Sequence, residues 1–520
     1  MGKTDAWGEN VAADEGLMKV CGVQFTLSPN PLPANGGFQQ TLELHEGQIT
    51  IIEGVAPNYV SLRLWVDANN PVVRAEFTSA GIPRQIRANL LNWRLSGANP
   101  DILVGSQTNA IISYHHNRSN ADSHVANWTF GAMIQGMGMT NLTPTNLVSV
   151  SPVDYQLVNV HPLTTITGTT NQWLTQVQAD TAVLSAMNVT DSYSRHTNWW
   201  ADFWSRSYIF VTGDQAARTT TQGYLWQRYI SACAGRGAYP IKFNGSLFVV
   251  ENPSVPYTQD GRRWGGQYWM QNTREMYWPM LAAGDFEMML PFFNMYAQII
   301  ATNMTTVSQL YGHGGSYSAE TSPFWGGLKD ESTNAVPMGG SSLFTDRYYE
   351  GVLELGMMML DYYDHTTDTN YLIQTIVPTI SAGLTFYDGH FGRDAAGKLS
   401  LYPVNALETY WDTYNPAPDI AGLQAVIPRM LALPPATTTP AQRIQWQRLL
   451  SELPPLPRGN SGNSPVLWPY SGPQTNTIRN GENTQLYAVF PYRLYGLDKP
   501  DLSRAVNSYN TRLFYGLGWA

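Results

Sequence analysis

Ser61-Leu62-Arg63-Leu64-Trp65-Val66-Asp67-Ala68-Asn69-Asn70-Pro71-Val72-Val73-Arg74-Ala75-Glu76-Phe77 is two alternating runs around a turn. Successive strand side chains point to opposite faces, so Leu62 and Leu64, then Ala75 and Phe77, share one apolar face. Asp67 to Pro71 supplies turn residues between them. The same alternation occurs in Thr41-Leu42-Glu43-Leu44-His45 and Gln48-Ile49-Thr50-Ile51, and extends over about residues 22 to 116. Short strands with one apolar face need a second sheet to cover it, which predicts an antiparallel β-sandwich over residues 1–160.

Further along, the period changes. Residues 161–208 read as a helical linker, in which Trp199, Trp200, Phe203 and Trp204 share one helical face that is expected to dock one domain on the other. Helices are then predicted near 214–234, 280–304, 346–364, 370–387, 419–433, 440–450 and 501–513, with Pro378 ending or kinking the fourth. The long loops between them carry Gly, Trp, Tyr and acids. A helical toroid with its loops gathered at one mouth accommodates that arrangement over 209–520. The expected fold class is therefore α+β multidomain, an N-terminal antiparallel β-sandwich followed by an (α/α)6-type toroid.

Composition narrows the function. Among 520 residues there are 17 Trp and 29 Tyr, while charged residues make up 13%, about half the usual share. The net charge of -9 and the absence of a basic run argue against nucleic acid, which needs clustered Lys and Arg. Cys21 and Cys233 fall in different expected domains, so no disulfide framework is expected and both read as buried thiols. No apolar run approaches the roughly 20 residues of a membrane span, and residues 1–7 lack a signal-peptide pattern. His115 and His116 point to opposite strand faces and cannot chelate one ion together.

Chemistry concentrates in Trp264-Gly265-Gly266-Gln267-Tyr268-Trp269-Met270-Gln271-Asn272-Thr273-Arg274-Glu275-Met276-Tyr277-Trp278-Pro279-Met280. Indoles stack on the C–H faces of sugars, and amides and guanidinium groups bind hydroxyls, so Trp264, Trp269 and Gln271 are candidate substrate contacts. Arg262 and Arg263 precede them. HExxH, CxxC, P-loop and strand-linked GxGxxG motifs do not occur, which leaves carboxylate acid/base chemistry and no expected cofactor or metal. Glu408, among Tyr402, Tyr410 and Trp411, should lose hydration and hold its proton, as a general acid requires. Glu482, in Arg479-Asn480-Gly481-Glu482-Asn483-Thr484-Gln485, reads as an ionised acid in a polar loop, able to take a proton from water. Glu320 stands between His313 and Trp325 in a third cluster. Two other readings use the same residues: a polysaccharide lyase with Tyr317, His313, Arg262 and Arg263, and a carbohydrate-binding or structural protein without turnover.

Asn272-Thr273-Arg274-Glu275-Met276-Tyr277-Trp278-Pro279 resembles the Asn-x-x-x-Met-Asn-Tyr-Trp-Pro signature of family 95 glycoside hydrolases, inverting α-L-fucosidases and α-L-galactosidases with a toroid behind a β-sandwich. On this resemblance Asn272 takes the place of the second water-positioning Asn, while Met270 stands at the first. Ala406-Leu407-Glu408-Thr409 is similar to the Ser-Pro-Glu-Asn segment that carries the general acid. The family's Gln-Ile-Asp-Gly-Asn segment has no literal counterpart, and Glu482 is set in its place. The resemblance spans most of 205–520, and the whole chain resembles uncharacterised bacterial relatives. In those, Gly2-Lys3-Thr4-Asp5-Ala6-Trp7 is internal and helices follow Gly516-Leu517-Gly518-Trp519, which implies a chain clipped at both ends. The resemblance implies a secreted, extracellular or periplasmic, inverting exo-glycoside hydrolase. Its substrate would be an oligosaccharide or polysaccharide of plant, algal or host origin. Glu408, Asn272 and Glu482 would be catalytic, and Trp264, Trp269, Arg262, Arg263, Gln271, His313, Glu320, Trp325 and Trp411 would bind substrate.

Overall fold

The computed structural model describes residues 1–9, 17–32, 36–105, 107–121, 123–166, 168–243, 267–327, 344–345 and 347–514. Two compact units divide the chain, Met1–Gly266 and Gln267–Ala520.

The first unit holds an eight-stranded antiparallel sheet in the order Phe38–Glu43, Gln48–Val55, Asn58–Val66, Val73–Ala80, Tyr155–Thr165, Thr129–Gly136, Ala110–His116, Ile102–Leu103. A four-stranded sheet, Met139–Thr143, Asn146–Ser149, Gln85–Leu91 and Gly22–Ser28, completes the sandwich. The hairpin pairs Leu62 with Phe77 and Leu64 with Ala75, and this face meets Ile86, Ala88 and Leu147 of the smaller sheet in one core.

The opposite face of the large sheet is covered rather than solvated. Helix α1 (Thr170–Ser185) sets Trp173 and Val177 on Ala110, Ile112 and Tyr114, which explains why both faces of that strand are apolar. On α2 (Val189–Arg206), His196 lies 4.8 Å from the Trp65 ring and Trp204 Nε1 donates to the Leu44 carbonyl at 2.9 Å. Arg63, Arg74 and Glu76 therefore sit under helices, where Glu76 accepts from Arg63 Nε at 3.1 Å and Trp65 Nε1 at 2.8 Å. Gly47 has φ +63°, and a Cβ there would stand 1.9 Å from Trp200 Nε1, so helix and hairpin approach only through glycine.

The aromatic face of α2 packs inside this first unit. Trp200 stacks on Tyr229 at 5.2 Å and Arg228 covers Phe203 at 4.0 Å, both from α3 (Gln215–Ala234). The segment expected as a linker, and the first helix expected of the toroid, thus both fall within Met1–Gly266. Cys21 and Cys233 are both in this unit as well, Cys21 buried and Cys233 exposed, and both are free.

In the second unit one predicted helix, 280–304, is two. Helix α4 (Met270–Ala283) ends where Gly284 turns left-handed at φ 70°, and α5 (Leu290–Tyr311) restarts with proline in its first turn. Next come α6 (Gly351–Thr366) and a single turn, α7 (Thr369–Tyr371). A wide helical turn, Leu372–Ile376, leads into α8 (Val377–His390), where Pro378 occupies the tolerated first turn. The order closes with α9 (Ala417–Ala432), α10 (Pro440–Glu452) and α11 (Leu502–Asn510). Helix α6 packs on α4 and α9, while α8 packs on α5 and α10. Every residue from 351 to 362 is buried, whereas α10 buries only Trp446 and Leu449. Among the described residues α4, α6 and α9 thus follow one another in one row and α5, α8 and α10 in a second, as in a toroid, and the chain has the α+β multidomain fold of sandwich followed by α/α toroid.

Candidate active site

The site begins where Tyr268–Trp269 pairs with Thr321–Ser322. This short ladder sets Glu320 against the first turn of α4, where Met270 N donates to its carbonyl at 2.7 Å and Gln271 N to its carboxylate at 3.1 Å. Trp269 is the N-cap residue and offers no capping side chain, so Glu320 supplies the acceptor that the free N–H groups and helix dipole call for. Its carboxyl is fully buried. Burial, then the charge of Glu408, push its pKa well above the usual carboxylate range, against the Gln271 N–H and Arg274. Glu320 is a cap beneath the site and does not open into it as a substrate contact.

Gln271 joins this cap to a second acid, since its side-chain amide donates to Glu482 Oε1. Thr409 Oγ1 donates to Glu482 Oε2 at 2.6 Å and accepts from the Glu482 N–H at 3.1 Å. Glu482 is therefore not a solvated loop acid, being only 3% exposed. Burial raises its pKa, while the Thr409 and Gln271 hydrogen bonds and Arg274 oppose the rise.

Glu408 occupies the turn between Val404–Ala406 and Tyr410–Thr413, with Leu407 left-handed at φ 53°. Trp411 Nε1 fixes the Glu408 carbonyl at 2.9 Å, and Asn480 Nδ2 donates to its Oε2 at 2.7 Å. Burial first, then the charge of Glu482, raise the Glu408 pKa to about 7 against that one hydrogen bond. Two carboxyls in one electrostatic field thus differ in support, for the Glu482 side chain accepts two donors and Glu408 accepts one. The proton belongs on Glu408 and the charge on Glu482. Beneath them Arg274 donates to Glu354 at 2.7 Å and to Tyr487 Oη at 2.6 Å, a buried cation that favours charge on both Glu320 and Glu482.

The remaining expected residues are more scattered. Arg262, Arg263 and Trp264 lie outside the described residues. Asn272 follows Gln271 in the first turn of α4, half-buried, and its side chain makes no hydrogen bond to the described residues. Trp269 is half-buried at the head of the same helix. Trp325 packs on Phe324 at 4.7 Å. His313 turns away from Glu320 and pairs with His390, Nε2 to Nδ1 at 3.0 Å. Tyr317 is buried against Phe386 and Tyr349. The pair needed for the lyase reading is thus absorbed in an aromatic cluster. Thr409, Asn480, Arg274 and Glu354 were not anticipated. Arg274 had a signal, since it falls three residues after Gln271 on the same helical face. Thr409 and Asn480 flank the two acids in sequence and had only that adjacency.

One consequence concerns Thr409. Its hydroxyl stabilises the charged form of Glu482, so Thr409→Val removes a donor and raises that pKa further. If Glu482 must be ionised to act, the acidic limb of the kcat/KM profile moves to higher pH and activity below it falls about tenfold. An unmoved acidic limb in the Val variant would separate Thr409 from the chemistry.

Residues 257–520 match the family described as Glycosyl hydrolase family 95 catalytic domain, and residues 1–120 and 98–209 match a domain of unknown function, DUF5703. No curated protein matches the chain by sequence. Among solved structures, a candidate kojibiose phosphorylase from human microbiome superposes with a TM-score of 0.57 at 11% identity, over 85% of this chain and 61% of that one. The chain therefore spans 61% of that structure's length, and the likeness is one of fold. A bacterial glucoamylase complexed with acarbose gives 0.45 at 10% identity, over 98% of this chain and 79% of that one. A family GH92 α-mannosidase from Bacteroides thetaiotaomicron gives 0.28 at 8% identity, over 87% and 70%. At those scores the last two say nothing further about fold or chemistry.

Proposed function

Since the chain belongs to glycosyl hydrolase family 95, matched over residues 257–520, we propose that it is an inverting exo-glycoside hydrolase acting on a plant, algal or host glycan. The observation that carries this reading is the unequal support of two neighbouring carboxyls, one hydrogen bond on Glu408 and two on Glu482. Glu408 gives its proton to the glycosidic oxygen as the bond to the anomeric carbon breaks. Glu482 takes a proton from the water that attacks the opposite face, and Asn272, next to Gln271, orients that water. Inverting carboxyls stand roughly 6.5–9.5 Å apart to leave room for it.

Proton NMR of the first product formed from a panel of aryl glycosides and glycans tests the reading. An inverted anomer is expected. A retained anomer, or an unsaturated sugar absorbing in the ultraviolet, overturns it.

The pH dependence follows from the raised pKa of Glu408. A general acid works only while protonated, so activity is present below that pKa and is lost as pH rises through about 7. The alkaline limb of kcat/KM for an unactivated glycan should fall there, and a flat profile across neutrality removes Glu408 from the role.

A further inference from the structure

Resting on the hydrolase reading, we propose that the leaving-group side of this site receives an anionic sugar residue, a uronate or a sulfated sugar, held by the Arg479 guanidinium. The loop 479–482 runs from surface to interior: Arg479 and Asn480 are exposed, Gly481 and Glu482 buried. Asn480 grips the carboxyl that meets the glycosidic oxygen. Whatever departs with that oxygen leaves toward the exposed end of the loop, where Arg479 stands.

Arg479 is anchored there. Its backbone N–H donates to the Thr409 carbonyl at 2.9 Å, and its guanidinium lies 4.7 Å from the centre of the Trp411 ring, which Phe344 buttresses edge-on at 4.9 Å. A guanidinium stacked on an indole keeps its in-plane N–H donors free at the edge. No carboxylate among the described residues pairs with Arg479, whereas nearby Arg347 is engaged by Asp412. Nor does Arg479 tune the acid, because the forces on Glu408 come from burial, Glu482 and Asn480. An oriented, uncommitted fork of donors at the mouth suits a planar carboxylate or a sulfate, which it can bind with two parallel hydrogen bonds.

The chain's net charge of -9 repels polyanions in general, so retention by one reports a local site. Electrophoresis of the native protein through gels containing polygalacturonate, carrageenan or sulfated fucan, with neutral galactan and agarose as counterparts, provides the test. At least one anionic gel should retard the wild type more than its neutral counterpart, and added salt should weaken that retardation. Arg479→Gln should lose about tenfold in affinity for that polymer, with Arg479→Lys intermediate because it keeps charge without the fork. The carboxylated and sulfated gels distinguish the two anions. Equal retardation by anionic and neutral gels, or an unchanged Arg479→Gln variant, overturns the proposal. Retardation that depends on Arg479, with no cleavage of any polymer, would leave an anion site at Arg479 standing and overturn its leaving-group assignment together with the hydrolase reading.

Discussion

Glu408→Gln is expected to abolish cleavage of glycans with poor leaving groups, with a loss of about 10²–10⁴-fold in kcat, while sparing substrates whose leaving group departs without a proton. The amide fills the same space and can keep a hydrogen bond to the Asn480 side chain after rotation, so the Val404–Ala406 and Tyr410–Thr413 hairpin is preserved. What it lacks is a transferable proton. Comparing an aryl glycoside of low leaving-group pKa with the natural linkage isolates that loss. For the activated substrate the alkaline limb near pH 7 should also vanish, because the group that titrates there has gone. Equal losses on both substrates would show that Glu408 serves the site in some way other than proton donation.

How far this arrangement could be read from the sequence depends on the distance over which each residue finds its partners. The sandwich was legible because period-two alternation is local, and Leu62 with Phe77 face each other across one turn. The covering of the other sheet face was not, since Arg74 and Glu76 look solvated in sequence and are buried only through Asp67, Arg63 and Trp65, together with helices more than a hundred residues on. The break at Gly284 was visible in Ala283-Gly284-Asp285 and Pro291, a left-handed stop followed by a first-turn proline, but the apolar pattern overrode it. In the site, the raised pKa of Glu408 followed from its Tyr and Trp neighbours. The burial of Glu482 could not be foreseen, because its partners Thr409 and Gln271 are 73 and 211 residues away.

That hidden burial makes Glu482 the more demanding residue to replace. Glu482→Gln should stop both activated and unactivated substrates, by about 10²–10⁴-fold, because a general base acts on water whatever group departs. The variant keeps one acceptor oxygen where the carboxylate had two, so its NH2 faces either the Gln271 amide or the Thr409 hydroxyl, and that partner must turn its own oxygen to accept. A stability measurement by chemical denaturation, run beside the kinetics, separates that packing cost from lost catalysis. Azide supplies the decisive contrast. It attacks the anomeric carbon without needing deprotonation, while the Glu408 proton goes to the departing oxygen as that bond breaks. A folded Glu482→Gln variant should therefore regain turnover with azide and yield a glycosyl azide of inverted configuration. Rescue that fails in a folded variant, or full activity without azide, would take the base assignment from Glu482 even if Glu408 kept its own.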